Sequence, residues 1–402
     1  MEEGKTVIRD ENGITIKLRG RIDSSNAAQV DQFVQEQLGE GRPTAVTLDA
    51  ESLAYISSAG LRVILHVKKA YPNLRITNVN SDVYEILDMT GFTEMMRVEK
   101  AYRVISVEGC EEVGRGAKGT IYRFDKDNVV KVYNDADALD EIQNERERAR
   151  LALILGIPTA ISYDVVRVGE SYGSVFELLN ARSFSGILAE EPEKLDWCVG
   201  EYVKMLKLIH STRVPAGKLP DIRERAMMWA RTALPALSAE TGEKILSLLQ
   251  AVPFDDHMLH GDYHTKNLML QGDEVLLIDM DTLCMGHPVF ELANMFNSYQ
   301  GFYELDHDAV KSFQGYGYET AKTFWSKTLA AYLETDDPSR LRDVENKARV
   351  VGCTRLISRT LRHGNGETEQ GKAEIACWKT KLMDLLERVD SLTFAGQPSA
   401  CS

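Results

Sequence analysis

Between residues 14 and 98 the chain alternates two hydrophobic periods. Ile14, Ile16 and Leu18 recur at every second position, the mark of a half-buried strand. Ala27, Val30, Phe33, Val34 and Leu38 follow at helical spacing, behind Asp23-Ser24-Ser25, whose side chains suit an N-cap; Gly39 and Gly41-Arg42-Pro43 stop that helix. Ala45 to Leu48 reads as a strand, and Ser58 to Ala70 as a helix with Leu61, Ile64, Leu65 and Val67 inward. Leu74 to Thr77 is a strand, Asp82 to Met89 a short helix ended by Gly91, and Met96 to Val98 a last strand. This spacing predicts a small α/β domain with helices against a mixed sheet.

From Tyr102 the pattern changes to closely spaced strands, with no Pro/Ser/Gly-rich tether at the junction. Gly114-Arg115-Gly116-Ala117-Lys118-Gly119 lies between Glu111-Glu112-Val113 and the strand Thr120 to Arg123, as a hairpin tip would. Val129-Val130-Lys131-Val132-Tyr133 sets one Lys in an apolar strand, and an amphipathic helix runs from Leu139 to Leu155, closed by Gly156-Ile157-Pro158. Strands follow around Ile161 to Val168 and Tyr172 to Asn180; after them helical periodicity dominates, first in Leu195 to His210.

Composition narrows the classes. At 402 residues the chain is too long for one ordinary core, and two or three domains are expected. The net charge of −14 argues against a broad nucleic-acid or anionic-membrane surface, and no apolar run reaches the length of a membrane span. The charged N-terminus lacks the apolar stretch of a signal peptide, and six scattered cysteines with no CxxC pair fit reduced thiols in a cytoplasm.

The chemistry gathers at His260-Gly261-Asp262-Tyr263-His264-Thr265-Lys266-Asn267, followed by the apolar run ending in Asp279-Met280-Asp281. An Asp and an Asn five positions apart, then an Asp at a strand end, suit a general base and two metal-binding oxygens converging on nucleotide phosphates. In that reading Asp262 accepts the acceptor's proton and Asn267 and Asp279 hold Mg²⁺, with Asp281 assisting or bonding locally. Gly114, Gly116 and Gly119 approach the phosphates of ATP, and Lys131 neutralises them with Glu145 as its carboxylate partner, Glu147 being the alternative. The strand end with Glu177 and Leu179 is where backbone groups would meet adenine. A zinc pair from His260 and His264 is disfavoured, because a loop is expected there and no third ligand follows.

This constellation resembles the aminoglycoside phosphotransferase and choline kinase-like family, over roughly residues 102–380. The resemblance rests on His260-Gly261-Asp262…Asn267, on Ile278-Asp279-Met280-Asp281 and on Gly286-His287-Pro288-Val289-Phe290-Glu291-Leu292-Ala293. Glu291 stands where that family usually has Asp, a position to which it assigns bracing of the loop. Protein kinases carry Arg at the position of Gly261 and a long activation segment after the metal Asp; here only Met280 to Met285 separates Asp279 from Gly286. A small hydroxylated or amino acceptor is therefore expected. Arg355, Arg359 and Arg362 share one helix face and fit either an anionic acceptor or a solvated surface, whereas Glu304, Asp306 and Asp308 offer the opposite charge.

The spot Tyr55-Ile56-Ser57-Ser58-Ala59-Gly60-Leu61 puts two hydroxyls between a strand end and a helix start, where either caps the helix or carries an anion such as a phosphate ester. With Gly20-Arg21-Ile22-Asp23 it makes residues 12–99 resemble a STAS domain of the anti-sigma-factor antagonist type. The resemblance implies phosphorylation at Ser58, with Ser57 the alternative, and a signalling partner.

The expected architecture is an α/β STAS-like domain (1–100) followed by an α+β protein-kinase-like two-lobed domain. Its N-terminal lobe would span 101–180 and its helical lobe 181–394, with a disordered tail at 395–402. The expected function is ATP- and Mg²⁺-dependent phosphate transfer to a small acceptor, with the STAS module docking or regulating. The alternative is a signalling protein whose kinase-like domain senses nucleotide or modifies Ser58. No nucleic-acid or membrane partner is expected.

Overall fold

The computed structural model describes residues 7–10, 13–39, 43, 45–116 and 118–394, so the Gly41-Arg42 helix stop and the 395–402 tail lie outside the described residues. The chain forms two compact units, Met1–Gly109 with Val165–Gly173, and Cys110–Asp164 with Ser174–Ser402.

In the first unit the elements run β1 (Val7–Asp10), β2 (Gly13–Ile22), α1 (Ala27–Gly39), β3 (Val46–Ile56), α2 (Ser58–Ala70), β4 (Arg75–Val79), α3 (Ser81–Met89), α4 (Phe92–Met95) and β5 (Arg97–Lys100). The sheet order is β1-β2-β3-β4-β5, with β1 antiparallel to β2 and the rest parallel. Ile14, Ile16 and Leu18 point into a core with Val34, Leu38, Ile64 and Val67, as their period requires. Strand β3 is longer than its apolar run, because polar Asp49 in its middle is satisfied from the side. Asp49 is 6% exposed, accepts from Asn78 Nδ2 at 3.0 Å and from the Glu51 amide at 3.1 Å, and lies 3.4 Å from Lys17. Gly60 lets α2 approach the sheet: a Cβ there would stand 2.6 Å from Ile56 Cγ1. The short strand β1 carries no clear pattern and was not anticipated.

Next, β6 (Arg103–Ile105) pairs in parallel with β10 (Asp164–Val168), which explains why residues 165–173 group with the first unit.

The second unit opens with an antiparallel ladder of β7 (Glu111–Arg115), β8 (Gly119–Arg123) and β9 (Asn128–Tyr133), followed by α5 (Leu139–Ile154). The strand β11 (Ser171–Glu177) leads to β12 (Arg182–Ser183), α6 (Phe184–Glu190), α7 (Leu195–Ser211), α8 (Ile222–Ala233) and α9 (Ala239–Gln250). Short strands β13 (Met258–Leu259), β14 (Leu268–Gln271), β15 (Glu274–Leu277) and β16 (Cys284–Met285) flank the chemical segment. Helices α10 (Val289–Tyr299), α11 (Ala309–Gln314), α12 (Tyr318–Leu333), α13 (Pro338–Arg362) and α14 (Glu369–Leu386) complete it. Tyr202, Leu206, Met295, Phe296, Phe324 and Trp325 form a core under the 260–267 loop, and a second core holds Ile222, Trp229, Ile245, Val351 and Trp378. No helix among the described residues is long and apolar enough to cross a membrane.

Candidate active site

The 260–267 loop is held by its backbone. The fully buried Glu291 carboxylate on α10 accepts the amide of His260 at 2.5 Å and that of Gly261 at 3.1 Å. One turn on, Asn294 Nδ2 donates to Gly261 O at 2.9 Å, and Thr282 Oγ1 donates to His260 O at 2.8 Å. The longer Glu therefore performs the bracing that the family assigns to Asp at this position. Gly261 is fixed by geometry: its φ is +82°, and a Cβ would meet Thr282 O at 2.5 Å. No Arg side chain fits there, which agrees with the missing activation segment.

Below the loop lies a buried tyrosine network. Tyr202 OH donates to Tyr263 O at 2.9 Å, Tyr263 OH to Tyr202 O at 2.8 Å, and Tyr299 OH accepts the Thr265 amide at 3.1 Å. Among the described residues these groups pair only with each other and with the loop, so the loop conformation and the packing of α7 on α10 are set together. His260 engages both ring nitrogens within the loop region, at 3.1 Å from Ile278 O and 3.3 Å from the Asp262 amide, which leaves none for zinc.

The Asp262 carboxylate remains 38% exposed, with Oδ2 3.5 Å from His264 Nε2. Burial works against its charge, but the His264 ring, with Arg355 and His260 beyond it, outweighs that and pushes the carboxyl down to about 2. Asn267 donates Nδ2 to Asp262 O at 2.9 Å, which turns its amide oxygen the other way. Asp279 sits in the left-handed region at φ +63°, ψ +64°, a conformation costly for a non-glycine residue. Burial and the nearby Asp281 carboxylate raise its pKa above the usual carboxylate range, against Lys131, which lowers it.

Lys131 projects from β9 between two acids: its Nζ lies 3.0 and 2.9 Å from the Glu145 oxygens and 3.7 Å from Asp279 Oδ1. Glu145 accepts a further hydrogen bond from Tyr133 OH at 2.7 Å. Burial disfavours the ammonium, yet Glu145 and Asp279 more than compensate and hold Lys131 above its usual range. Glu145 is thus the partner of Lys131. Asp281 pairs instead with Lys118 of the glycine hairpin, which also reaches Glu141, while Arg148 donates to the Asp281 carbonyl.

The three hairpin glycines separate in role. Gly119 answers to the sheet, since a Cβ there would stand 2.3 Å from Val132 O. Gly116 closes the turn on Gly119 O at 2.9 Å, and Gly114 faces open space save for Ile121, with Ala117 outside the described residues. Glu177 and Leu179 line a cavity of about 520 Å³ with Thr159, Tyr163, Gln271 and Leu276, which shares no lining residue with the Lys131 cluster.

Sequence reasoning missed Asn294, Thr282 and the tyrosine network. Asn294 lies three positions after Glu291 on one helix face, a spacing visible in the sequence; the tyrosines had no local signal.

A titratable group supports the loop's neighbourhood. His287, 4% exposed, accepts the Val289 amide through Nδ1 at 3.1 Å and meets Phe394 edge-on at 5.0 Å. Burial, opposed by Asp255, pushes it from 6.5 down to about 4. A histidine whose folded value is depressed stays neutral in the fold while the unfolded chain takes a proton. Its contribution is therefore intact above pH 6.5 and is lost between pH 6.5 and 4, by up to about 3 kcal/mol. Urea unfolding of wild type against His287→Asn at pH 7 and pH 4.5 checks this. The wild type should lose more stability than the variant on acidification, and equal slopes would refute it.

A carboxylate, an amide oxygen, a strand-end acid and a paired Lys on a kinase-like scaffold define a phosphotransferase. The model of the phosphotransferase enzyme family matches residues 109–325, more than half of the chain, and the chain belongs to that family. Residues 5–104 match the STAS domain model. The chain is 34% identical over 85 residues to a proposed anti-sigma factor antagonist, BtrV, of Bordetella bronchiseptica, covering 20% of this chain and 72% of that protein. Among solved structures, the ADP-bound aminoglycoside phosphotransferase APH(2'')-Ib is similar at 13% identity and a TM-score of 0.49, over 76% of this chain and 99% of that one. A choline/ethanolamine kinase family protein from Mesorhizobium loti is similar at 15% identity and a TM-score of 0.44, over 69% and 88%. The chain thus carries a STAS domain followed by a kinase-like phosphotransferase domain.

Proposed function

We propose that the protein transfers the γ-phosphate of ATP to a small hydroxylated or amino acceptor in the cytoplasm, with Mg²⁺, and that its STAS domain docks or regulates. The observation that carries this reading is the convergence of Lys131, paired with Glu145, on Asp279, itself beside Asp281. Asp279, whose ionisation Asp281 disfavours, together with Asp281 and the freed Asn267 oxygen, forms a hard-oxygen donor set suited to Mg²⁺. Asn267 and Asp279, with Asp281 beside them, would hold the ion, which would supply charge neutralisation to the phosphates. Lys131 binds the α- and β-phosphates. Asp262, a carboxylate across the neutral range, orients the acceptor hydroxyl and receives its proton as the new O–P bond forms and ADP departs. Gly114 and Gly116 admit the phosphates, and backbone groups of Glu177 and Leu179 meet adenine.

A second reading has its own observation. Ser57 Oγ is engaged, accepting the Ala59 amide at 3.2 Å as the cap of α2, whereas Ser58 is exposed with no hydrogen-bond partner among the described residues. Ser58 at a helix N-terminus is the better-placed phosphate carrier.

One experiment separates the two. Full-length protein is incubated with γ-labelled ATP, Mg²⁺ and a panel of hydroxylated and amino metabolites, then mapped by peptide. Label in a soluble product, absent with Asp262→Asn, supports the acceptor reading. Label at Ser58 with no soluble product supports the signalling reading, and label in neither rejects both.

A further inference from the structure

We infer that the acceptor is an oxyanion, a small hydroxylated molecule bearing a phosphate or carboxylate, held by Arg225, Arg355, Arg359 and Arg362, which α8 and α13 gather beside Asp262. This deepens the acceptor reading and rests on it. Arg355 is tied to the loop: its Nη1 donates to Asn294 Oδ1, and Asn294 Nδ2 donates to Gly261 O at 2.9 Å, the peptide preceding Asp262. Its guanidinium lies 5.1 Å from the Trp229 ring on α8. Arg225 precedes Trp229 by one turn and so shares that face of α8. Arg359 and Arg362 continue the face of α13 at i+4 and i+7, both exposed, with Arg359 4.9 Å from the Phe302 ring.

Among the described residues no carboxylate lies within 4.0 Å of any of the four, whereas Arg115, Arg182, Arg213, Arg223 and Arg388 each pair with one. Burial lowers Arg355 from its usual range, Arg225, Arg359 and Arg362 add repulsion, and Asp262 opposes them. A chain with 61 acidic and 47 basic residues has no shortage of carboxylates, so their exclusion from this face leaves it open to a bound anion. Arginine forks match planar or tetrahedral oxyanions bidentately.

The opposite cue is weaker in the structure. Glu304 is ion-paired with Lys381, while Asp306, one oxygen of which accepts the Asp308 amide at 3.1 Å, and Asp308 stay exposed.

Calorimetry on the full-length protein tests the inference with glycerol 3-phosphate, D-gluconate and gentamicin as probes, in wild type, Arg359→Gln and the Arg225→Gln/Arg359→Gln pair. Arg359 is exposed, so the single variant should keep the wild-type melting temperature. Glycerol 3-phosphate, D-gluconate or both should bind, with affinity falling several-fold in the single variant, at least tenfold in the pair, and with rising salt. Binding of glycerol 3-phosphate alone assigns phosphate recognition, and of D-gluconate alone carboxylate recognition. The inference is overturned if neither anion binds, if the pair of substitutions leaves anion affinity unchanged, or if gentamicin binds more tightly than both. Its failure is distinct from that of the phosphotransfer reading: ATP consumption with gentamicin alone would sink the anion and keep the transfer. Arginine-dependent anion binding without any ATP turnover would do the reverse.

Discussion

Asp262→Asn should lower phosphate transfer by about 10³-fold while leaving nucleotide affinity within about twofold of wild type. The substitution keeps the shape of the side chain and its neighbour His264 at 3.5 Å, and removes only the negative charge and its capacity to receive a proton. Asp262 is held at about 2, so it is a weak base in the ground state. Its service is to orient the acceptor hydroxyl and to take the proton only as the oxygen becomes acidic in the transition state. That loss should appear in kcat, with nucleotide Kd read separately by titration of a non-hydrolysable analogue. The Lys131–Glu145 pair and Asn267 retain their side chains in the variant, which is why binding should survive. A variant that turns over at the wild-type rate would remove Asp262 from the chemistry.

How much of this was legible in the chain follows from how local each cause is. Lys131 with Glu145, the Asp262…Asn267 spacing and the strand-end Asp279 are read from motifs, because each depends on one element presenting one side chain. The first unit's strands and helices were readable for the same reason, through the periods of Ile14 to Leu18 and of Leu61 to Val67. Strand β3 was underestimated at Asp49, whose satisfaction by Asn78 and Lys17 comes from other strands. The glycine hairpin read as one motif, yet Gly119 is required by the β9 backbone and not by a ligand. The charge of the acceptor face was equally hidden. Arg355 to Arg362 and Glu304 to Asp308 carried opposite cues of similar weight, which the Lys381 pairing of Glu304 and the lack of a carboxylate partner for the arginines among the described residues separate.

Glu291→Ala should be the most damaging substitution for stability in this region, by about 2–6 kcal/mol. The wild-type carboxylate is fully buried and accepts two backbone amides, at 2.5 Å from His260 and 3.1 Å from Gly261, and its Oε2 lies 3.9 Å from His210 Nε2. Alanine would leave both amides without an acceptor in a site closed to water, at about 1–3 kcal/mol each. His210 is already held on its other side by Tyr332 OH at 2.8 Å, and its Nε2 has no hydrogen-bond partner among the described residues. Glu291→Gln retains one carbonyl oxygen of nearly the same shape, so it should cost less than half as much. Urea unfolding would show the ordering as successive drops in midpoint at unchanged slope. Hydrogen exchange would locate the damage, with the His260 and Gly261 amides losing protection before those of α12. If Glu291→Ala unfolds at the wild-type midpoint, the loop is held by Asn294 and the tyrosines alone. If Glu291→Gln and Glu291→Ala fall equally, the single neutral carbonyl oxygen that Gln keeps does not replace the carboxylate. In either variant the phosphate-transfer rate should fall further than nucleotide affinity, because a shift of about 1 Å in the loop misplaces Asp262 against the acceptor.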